Sequence, residues 1–281
     1  MFDVHSHILP GLDDGASDIS ISLDMARAYV DQGVSCVACT PHILPGIYHN
    51  TGPMIRGAVA ALSERVREAG IPLELVTGAD NHMAADFVSG LQAGRLLSLA
   101  DTPYVLVEPP HHLAPTRIED LFFNLQVAGY VPVLTHPERL TWIEDKYDTV
   151  QHLAAHGVWM QVTSGSLRGS FGRRPRYWAE RMLSEGLVHV VATDAHNMKA
   201  RPPDLAAGLR VAEQQVGAEE AHHMFVTRPQ GIVLGIHPHE LPAPSRWSPD
   251  DNLRDHEDAN PAERADTPPG FVGRLWRFFA Q

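Results

Sequence analysis

The stretch FDVHSHILPGLDDGA, residues 2–16, sets two histidines one residue apart on a short apolar run, with two adjacent aspartates just beyond it. In an extended chain, side chains two positions apart point to the same side, so His5 and His7 aim their imidazoles at a common point. A half-buried strand with Phe2 and Val4 inward, then a turn shaped by Pro10, Gly11 and Gly15, accounts for the backbone. It leaves His5, His7, Asp13 and Asp14 without a task. A metal-binding strand edge gives them one.

The same design recurs along the chain. Short apolar, β-branched runs follow at SCVACTPH (35–42), LELVTGAD (73–80), YVLVEPP (104–110), VPVLTHPER (131–139), VWMQVTSGS (158–166) and VHVVATDAH (188–196), and most end in residues able to bind a metal or an anion. Between them, apolar residues recur at spacings of three and four over 17–32, 55–69, 117–128, 147–156, 173–185 and 204–216, with a weaker helical candidate at 84–98. This β-then-α alternation predicts a parallel sheet covered by helices. A closed barrel brings all its strand ends to one mouth, whereas an open doubly wound sheet gathers only those beside its switch point. The expected fold class is therefore α/β, a distorted (β/α) barrel with seven recognisable strands and no visible eighth.

Length and composition agree. A chain of 281 residues accommodates one such barrel and a tail. Residues 1–240 are expected to form the barrel. Residues 241–270, rich in Pro, Asp and Glu, have too little apolar surface to offset the entropy of ordering and are expected to be a disordered spacer. In 271–281, Phe271, Leu275 and Phe278 or Phe279 fall at helical spacing, with Trp276 beside them and Arg274 and Arg277 between. This short segment suggests docking on a membrane surface, a kinase or the barrel itself. A net charge of −12 argues against a nucleic-acid partner. No apolar run is long enough to span a membrane, and the candidate ligands begin at residue 5, so a cytoplasmic location is expected. Cys36 and Cys39 form a C-x-x-C, but strand positions three apart face opposite ways, which favours buried, reduced thiols over chelation.

The strand ends together supply His5, His7, Asp14, His42, Asp80, Glu108, His136, Asp194 and His196. A lone His42 or His136 is more often a loop or capping residue than a ligand; nine such residues at the ends of six strands reverse that reading. Four convergent carboxylates repel one another unless cations stand among them. Three divalent ions would outweigh those four charges and leave a mouth suited to an anion such as a phosphate ester. Mixed nitrogen and oxygen donors without thiolate fit manganese, iron or zinc better than magnesium or calcium.

The ordered segments DVHSHILPGLDDGA, TPH, EPP, THPER, QVTSGS, FG and ATDAHN resemble the PHP (polymerase and histidinol phosphatase) superfamily. Within it they look like the bacterial metal-dependent protein-tyrosine phosphatases of capsule and exopolysaccharide clusters. The resemblance spans about residues 1–236. It implies a seven-stranded TIM-like barrel with three metals, usually manganese. One would take His5, His7, Asp80 and Asp194; a second would share Asp80 and add Glu108 and His136; a third would use Asp14, His42 and His196. Arg139 and Arg201 match the phosphate-contacting arginines, and a guanidinium offers phosphate a bidentate fork. Asp13 is expected to orient a ligand or cap the turn. The family has Glu where this chain has Asp80, so bridging by this shorter carboxylate is in question, and His82, on the same side, is a candidate supplement. The implied substrate is the phosphorylated tail of a bacterial tyrosine autokinase.

Other chemistries fit less well. A cysteine phosphatase needs Arg six positions after its Cys, where this chain has His42 and Pro45. An amidohydrolase with a carboxylated lysine needs Lys at a strand end, but only Lys146 and Lys199 are present and neither is so placed. Two alternatives stay open: a small-molecule phosphatase of the histidinol-phosphate type, and a non-catalytic metal-holding regulatory module, which the departure at Asp80 would favour.

Overall fold

The computed structural model describes residues 1–245. Nine strands appear among them: β1 (Phe2–Ser6), β2 (Cys36–Cys39), β3 (His42–Ile43), β4 (Glu74–Thr77), β5 (Asp80–His82), β6 (Tyr104–Glu108), β7 (Val131–Thr135), β8 (Trp159–Thr163) and β9 (Val190–Ala192). Every pairing between them is parallel, in the orders β1-β2-β4 and β3-β5-β6-β7-β8-β9. The seven expected runs become nine strands because two of them break, at Thr40–Pro41 and at Gly78–Ala79. Proline lacks the N–H a ladder needs, and the Gly78 backbone approaches Thr40 so closely that a Cβ there would lie 2.9 Å from its methyl.

The sheet curls until its ends meet. His7 N donates to Ala195 O at 2.9 Å and Asp194 N to His5 O at 2.8 Å, so the first strand touches the loop leaving the last. A buried polar network locks this seam. Asp3 accepts from Thr193 Oγ1 at 2.5 Å and Thr193 N at 3.1 Å, while Tyr29 Oη bonds Ser6 Oγ at 2.9 Å and Thr193 Oγ1 at 2.8 Å. Inside the curl, Val4, Ala38, Leu106, Val133, Trp159 and Ala192 form one apolar cluster. A larger cluster lies between the sheet and the helices. Apolar packing thus fills the interior below, and the polar strand ends emerge above it.

The helices follow the periodicity: Ile19–Asp31, Gly52–Glu68, Ile118–Val127, Tyr147–Ala155, Arg173–Ser184 and Leu205–Val216, with the weaker one reduced to Phe87–Gln92. The end of the chain departs from expectation. Leu241 packs against Gly231, and the buried Arg228 pairs with Glu220 (2.7 Å) while donating to Pro242 O and Ala243 O. Ser245 Oγ reaches Glu220 at 3.0 Å. Residues 241–245 are therefore held against the domain, where a disordered spacer was expected to begin. The rest of that spacer and the 271–281 segment lie outside the described residues. Among the described residues no helix is long and apolar enough to cross a membrane. Cys36 and Cys39 are both buried, free thiols whose pKa burial pushes up, for Cys36 to about 12.

The loop after β1 folds back onto the strand: Ala16 N donates to His7 O at 3.0 Å and Gly15 N to Asp13 Oδ1 at 2.9 Å. A Cβ at Gly15 would lie 2.2 Å from His7 O, a backbone atom that has nowhere to go. Gly15→Ala should cost about 1–3 kcal/mol, as overpacking does, read as a lower melting temperature of the ion-free protein. An unchanged melting curve would mean the loop does not pack on β1 in this way.

Candidate metal centre

Each strand end delivers its side chain to the same mouth, and two do so through tight turns. His136 (φ 33°, ψ 52°) and Asp194 (φ 50°) have positive φ, uncommon for residues other than Gly though His and Asp adopt it more readily than most. After His136 the chain turns at once, Arg139 N bonding His136 O at 3.0 Å, so Arg139 sits above the same mouth. After Asp194 a tight loop returns: His196 N donates to Arg201 O at 2.8 Å, and Asn197 Oδ1 caps Lys199 N and Ala200 N. Asn50 Nδ2 ties Leu12 O to His42 O, at 2.9 and 2.8 Å, and so joins the Asp13–Asp14 loop to β3.

Hydrogen bonds fix how the imidazoles face. His5 Nδ1 donates to Gln161 Oε1 at 2.8 Å, His7 Nδ1 to Asp13 Oδ2 at 2.7 Å, and His196 Nδ1 to the carbonyl of Asp194 at 2.9 Å. With Nδ1 carrying the proton, each neutral ring turns an Nε2 lone pair into the mouth. Asp13 also accepts from His42 N at 2.9 Å, so it both orients a ring and organises the turn.

The nine residues collected from the strand ends lie within overlapping groups whose donor atoms are all within 4.8 Å of one another. These groups are His7–Asp14–His42–His196, His5–His7–Asp80, His5–His136–Asp194, Glu108–His111–His136 and His42–Asp80–Glu108. The first contains the third expected ligand set and adds His7. The first expected set is split, Asp194 grouping with His5 and His136 rather than with Asp80, and the second is not grouped whole, Asp80 and Glu108 grouping with His42 and Glu108 and His136 with His111. Glu108 turns Oε2 to His42 (3.3 Å) and Oε1 to His136 (3.9 Å), while Asp80 Oδ2 stays 3.9 Å from His136 and 3.5 Å from His5. Asp80 Oδ2 thus lies as near His136 as Glu108 Oε1 does, and it falls in one group with Glu108 and in another with His5 and His7. His82 approaches Glu108 Oε2 at 3.5 Å but joins none of the groups.

The donor set fits divalent cations. Asp80 is fully buried and neither of its oxygens has a hydrogen-bond donor, and Nδ1 of both His42 and His136 is likewise unpartnered. Anionic and lone-pair donors left facing one another out of water call for positive charge. In the bare protein, protons supply some of it. Burial alone would lower the His5 imidazole, but Asp80 and Asp194 raise it to about 9; for His42, burial is likewise outweighed by Glu108 and Asp80, which raise it to about 10. Burial drives His136 well down, with Arg139 adding to it, and takes His196 to about 4, with His7 adding to it. Asp194 is held far below the usual carboxylate range, its burial outweighed chiefly by Arg201, His5 and Arg139.

Both arginines lean on one carboxylate edge. Arg139 and Arg201 each donate to Asp194 Oδ2, and Arg201 also reaches His196 Nε2 at 2.7 Å. The Arg139 guanidinium lies 4.5 Å from the Phe171 ring centroid and that of Arg201 6.0 Å from it, so one half-buried ring supports two cations. Sequence reasoning did not assign Phe171, Gln161 or His111 a role. Gln161 sits mid-strand like any core residue, and the two prolines between Glu108 and His111 end the strand periodicity that would have placed His111.

The comparisons with known proteins agree in one direction. The family profile for capsular polysaccharide synthesis, CpsB/CapC, matches residues 1–234. Tyrosine-protein phosphatase YwqE of Bacillus subtilis is 40% identical over 219 residues, covering 78% of this chain and 86% of the relative. Tyrosine-protein phosphatase CpsB of Streptococcus pneumoniae is 28% identical over 239 residues, covering 83% and 98%. A crystal structure from work on YwqE and CpsB, described there as unique metal-dependent tyrosine phosphatases, superposes with a TM-score of 0.83 at 36% identity, covering 88% of this chain and all of the other.

If Gln161 holds the His5 ring for a cation, Gln161→Leu should weaken divalent-metal affinity by about 10- to 100-fold, the usual cost of losing a partner that orients a ligand. Competition titration with a chromophoric chelator measures this. An affinity equal to wild type would remove Gln161 from the site.

Proposed function

Since the chain belongs to the capsular polysaccharide synthesis CpsB/CapC family, we propose that it is a metal-dependent protein-tyrosine phosphatase, removing phosphate from tyrosine on a bacterial tyrosine autokinase that governs capsule or exopolysaccharide synthesis. One observation carries the reading: imidazole and carboxylate donors converge on one mouth, with two guanidinium groups along its edge. We read the two sheets as one distorted seven-stranded barrel and the cofactor as three divalent ions, manganese before iron or zinc. The holding residues would be His5, His7, Asp14, His42, Asp80, Glu108, His136, Asp194 and His196. Divalent ions held there would supply Lewis acidity, lowering the pKa of water and offsetting charge on the phosphoryl oxygens.

The chain's own residues do the rest. Arg139 and Arg201 have further N–H groups to offer a phosphoryl oxygen, and Arg201 Nε is buried without a partner. Asp194 and Phe171 hold the two guanidinium groups in place before substrate arrives, so little reorganisation is needed as charge develops. Gln161 and Asp13 keep the rings of His5 and His7 in the tautomer that leaves Nε2 free. The rim suits a protein substrate. Ile47, Leu113 and Met198, from the loops after β3, β6 and β9, are 65%, 74% and 39% exposed, so three loops offer apolar contacts to a peptide lying across the opening.

Arg139→Ala and Arg201→Ala should each keep their metal but lose about a hundredfold to a thousandfold in turnover of a phosphotyrosine peptide. The same assay with histidinol phosphate and a simple aryl phosphate separates the substrate classes. Preference for histidinol phosphate would favour the small-molecule phosphatase, and arginine variants equal to wild type would make both residues surface cations.

A further inference from the structure

We infer that His111 is a metal ligand in this chain, adding a donor to the group that Glu108 and His136 begin. The inference rests on the metal-dependent reading above and deepens it.

It follows from counting lone pairs. A neutral imidazole has one to give. With Nδ1 of His5, His7 and His196 already donating, each of these rings offers Nε2 alone. His42 faces Asp14 through Nε2 at 3.7 Å, while its Nδ1 lies 3.3 Å from Glu108 Oε2 without a hydrogen bond. Spending each donor once gives Asp14, His42 and His196 to one ion. His5, His7 and Asp80 go to another, with Asp194 Oδ1 lying 3.1 Å from His7 and 3.5 Å from His5. Glu108 and His136 remain. Even with an Asp80 oxygen shared, 3.9 Å from His136, they make three donors where such an ion takes four or more, and joining His136 to His5 and Asp194 instead would spend His5 twice.

His111 is the donor placed to join them. Its Nε2 is 3.6 Å from Glu108 Oε1, the oxygen that faces His136, and the two imidazole centroids are 5.1 Å apart. Its backbone is anchored: His111 O accepts from Thr141 N at 3.0 Å and Thr141 Oγ1 at 2.9 Å, while Trp142 Nε1 donates to Pro110 O at 2.9 Å. Those bonds come from the segment just after Arg139, so the wall that carries Arg139 also positions His111. A glutamate at position 80 would reach about one C–C bond, roughly 1.5 Å, further. With aspartate there, the imidazole from the loop after β6 supplies a further donor beside Glu108 and His136.

The test is metal stoichiometry on the full chain, by mass spectrometry after manganese loading and desalting, with circular dichroism to confirm folding. Wild type should hold about three ions and His111→Ala about two, while His112→Ala, a change at the exposed neighbour, should match wild type. Adding Asp80→Glu to His111→Ala should restore the lost ion, because the longer carboxylate reaches further toward Glu108 and His136. Full stoichiometry and unchanged affinity in His111→Ala would overturn the inference. So would a loss that Asp80→Glu does not rescue, which would mark His111 as a loop-stabilising residue. Wild type that binds no divalent metal would instead overturn the metal-dependent reading itself.

Discussion

Asp80 is a fully buried carboxylate with no hydrogen-bond donor on either oxygen, and the upper half of the molecule is arranged around that fact. A charge removed from water needs opposite charge close by. Here it is met by two rings with raised pKa values, His42 at 3.4 Å and His5 at 3.5 Å, while His136 lies 3.9 Å away. The raised pKa values of His5 and His42 express the same balance in protons, and a divalent cation would displace those protons. Charge neutrality in the mouth is thus the condition that metal, proton and guanidinium all satisfy in part.

The scaffold makes that crowding tolerable. Apolar packing inside the curl fixes the lower strands, and the Asp3–Thr193–Tyr29 network closes the seam between first and last strands just beneath His5 and Asp194. The turns at His136 and Asp194 have positive φ, and each launches an arginine back toward the mouth. Rigid strands below and short turns above place the imidazoles, carboxylates and guanidinium groups in one region without a long loop.

Much of this was legible in the sequence, for identifiable reasons. Period-two runs ending in His, Asp or Glu, separated by period-3.6 segments, are strong local signals, and they located the strand ends and six helices. What stayed hidden depends on contacts between distant parts of the chain. Nothing local announces that Gly78 must pass Thr40, that Gln161 will meet His5, or that Phe171 will lie under two arginines. His111 lies past two prolines, where strand periodicity gives no direction. Residues 241–245 read as spacer by composition, yet Arg228, Gly231 and Glu220 hold them through contacts ten or more residues apart. The change at Asp80 was visible as one letter, but where its two unpartnered oxygens lie among His5, His42 and His136 needed the distances.

The central claim is that the chemistry of this mouth runs through divalent cations held by its imidazoles and carboxylates. The most direct measurement removes the metal exhaustively by chelation, verifies residual content by elemental analysis, and follows hydrolysis of a phosphotyrosine peptide before and after manganese is returned. The account predicts loss of turnover in the stripped protein and its recovery on reloading. Turnover at the original rate with negligible bound metal would contradict it.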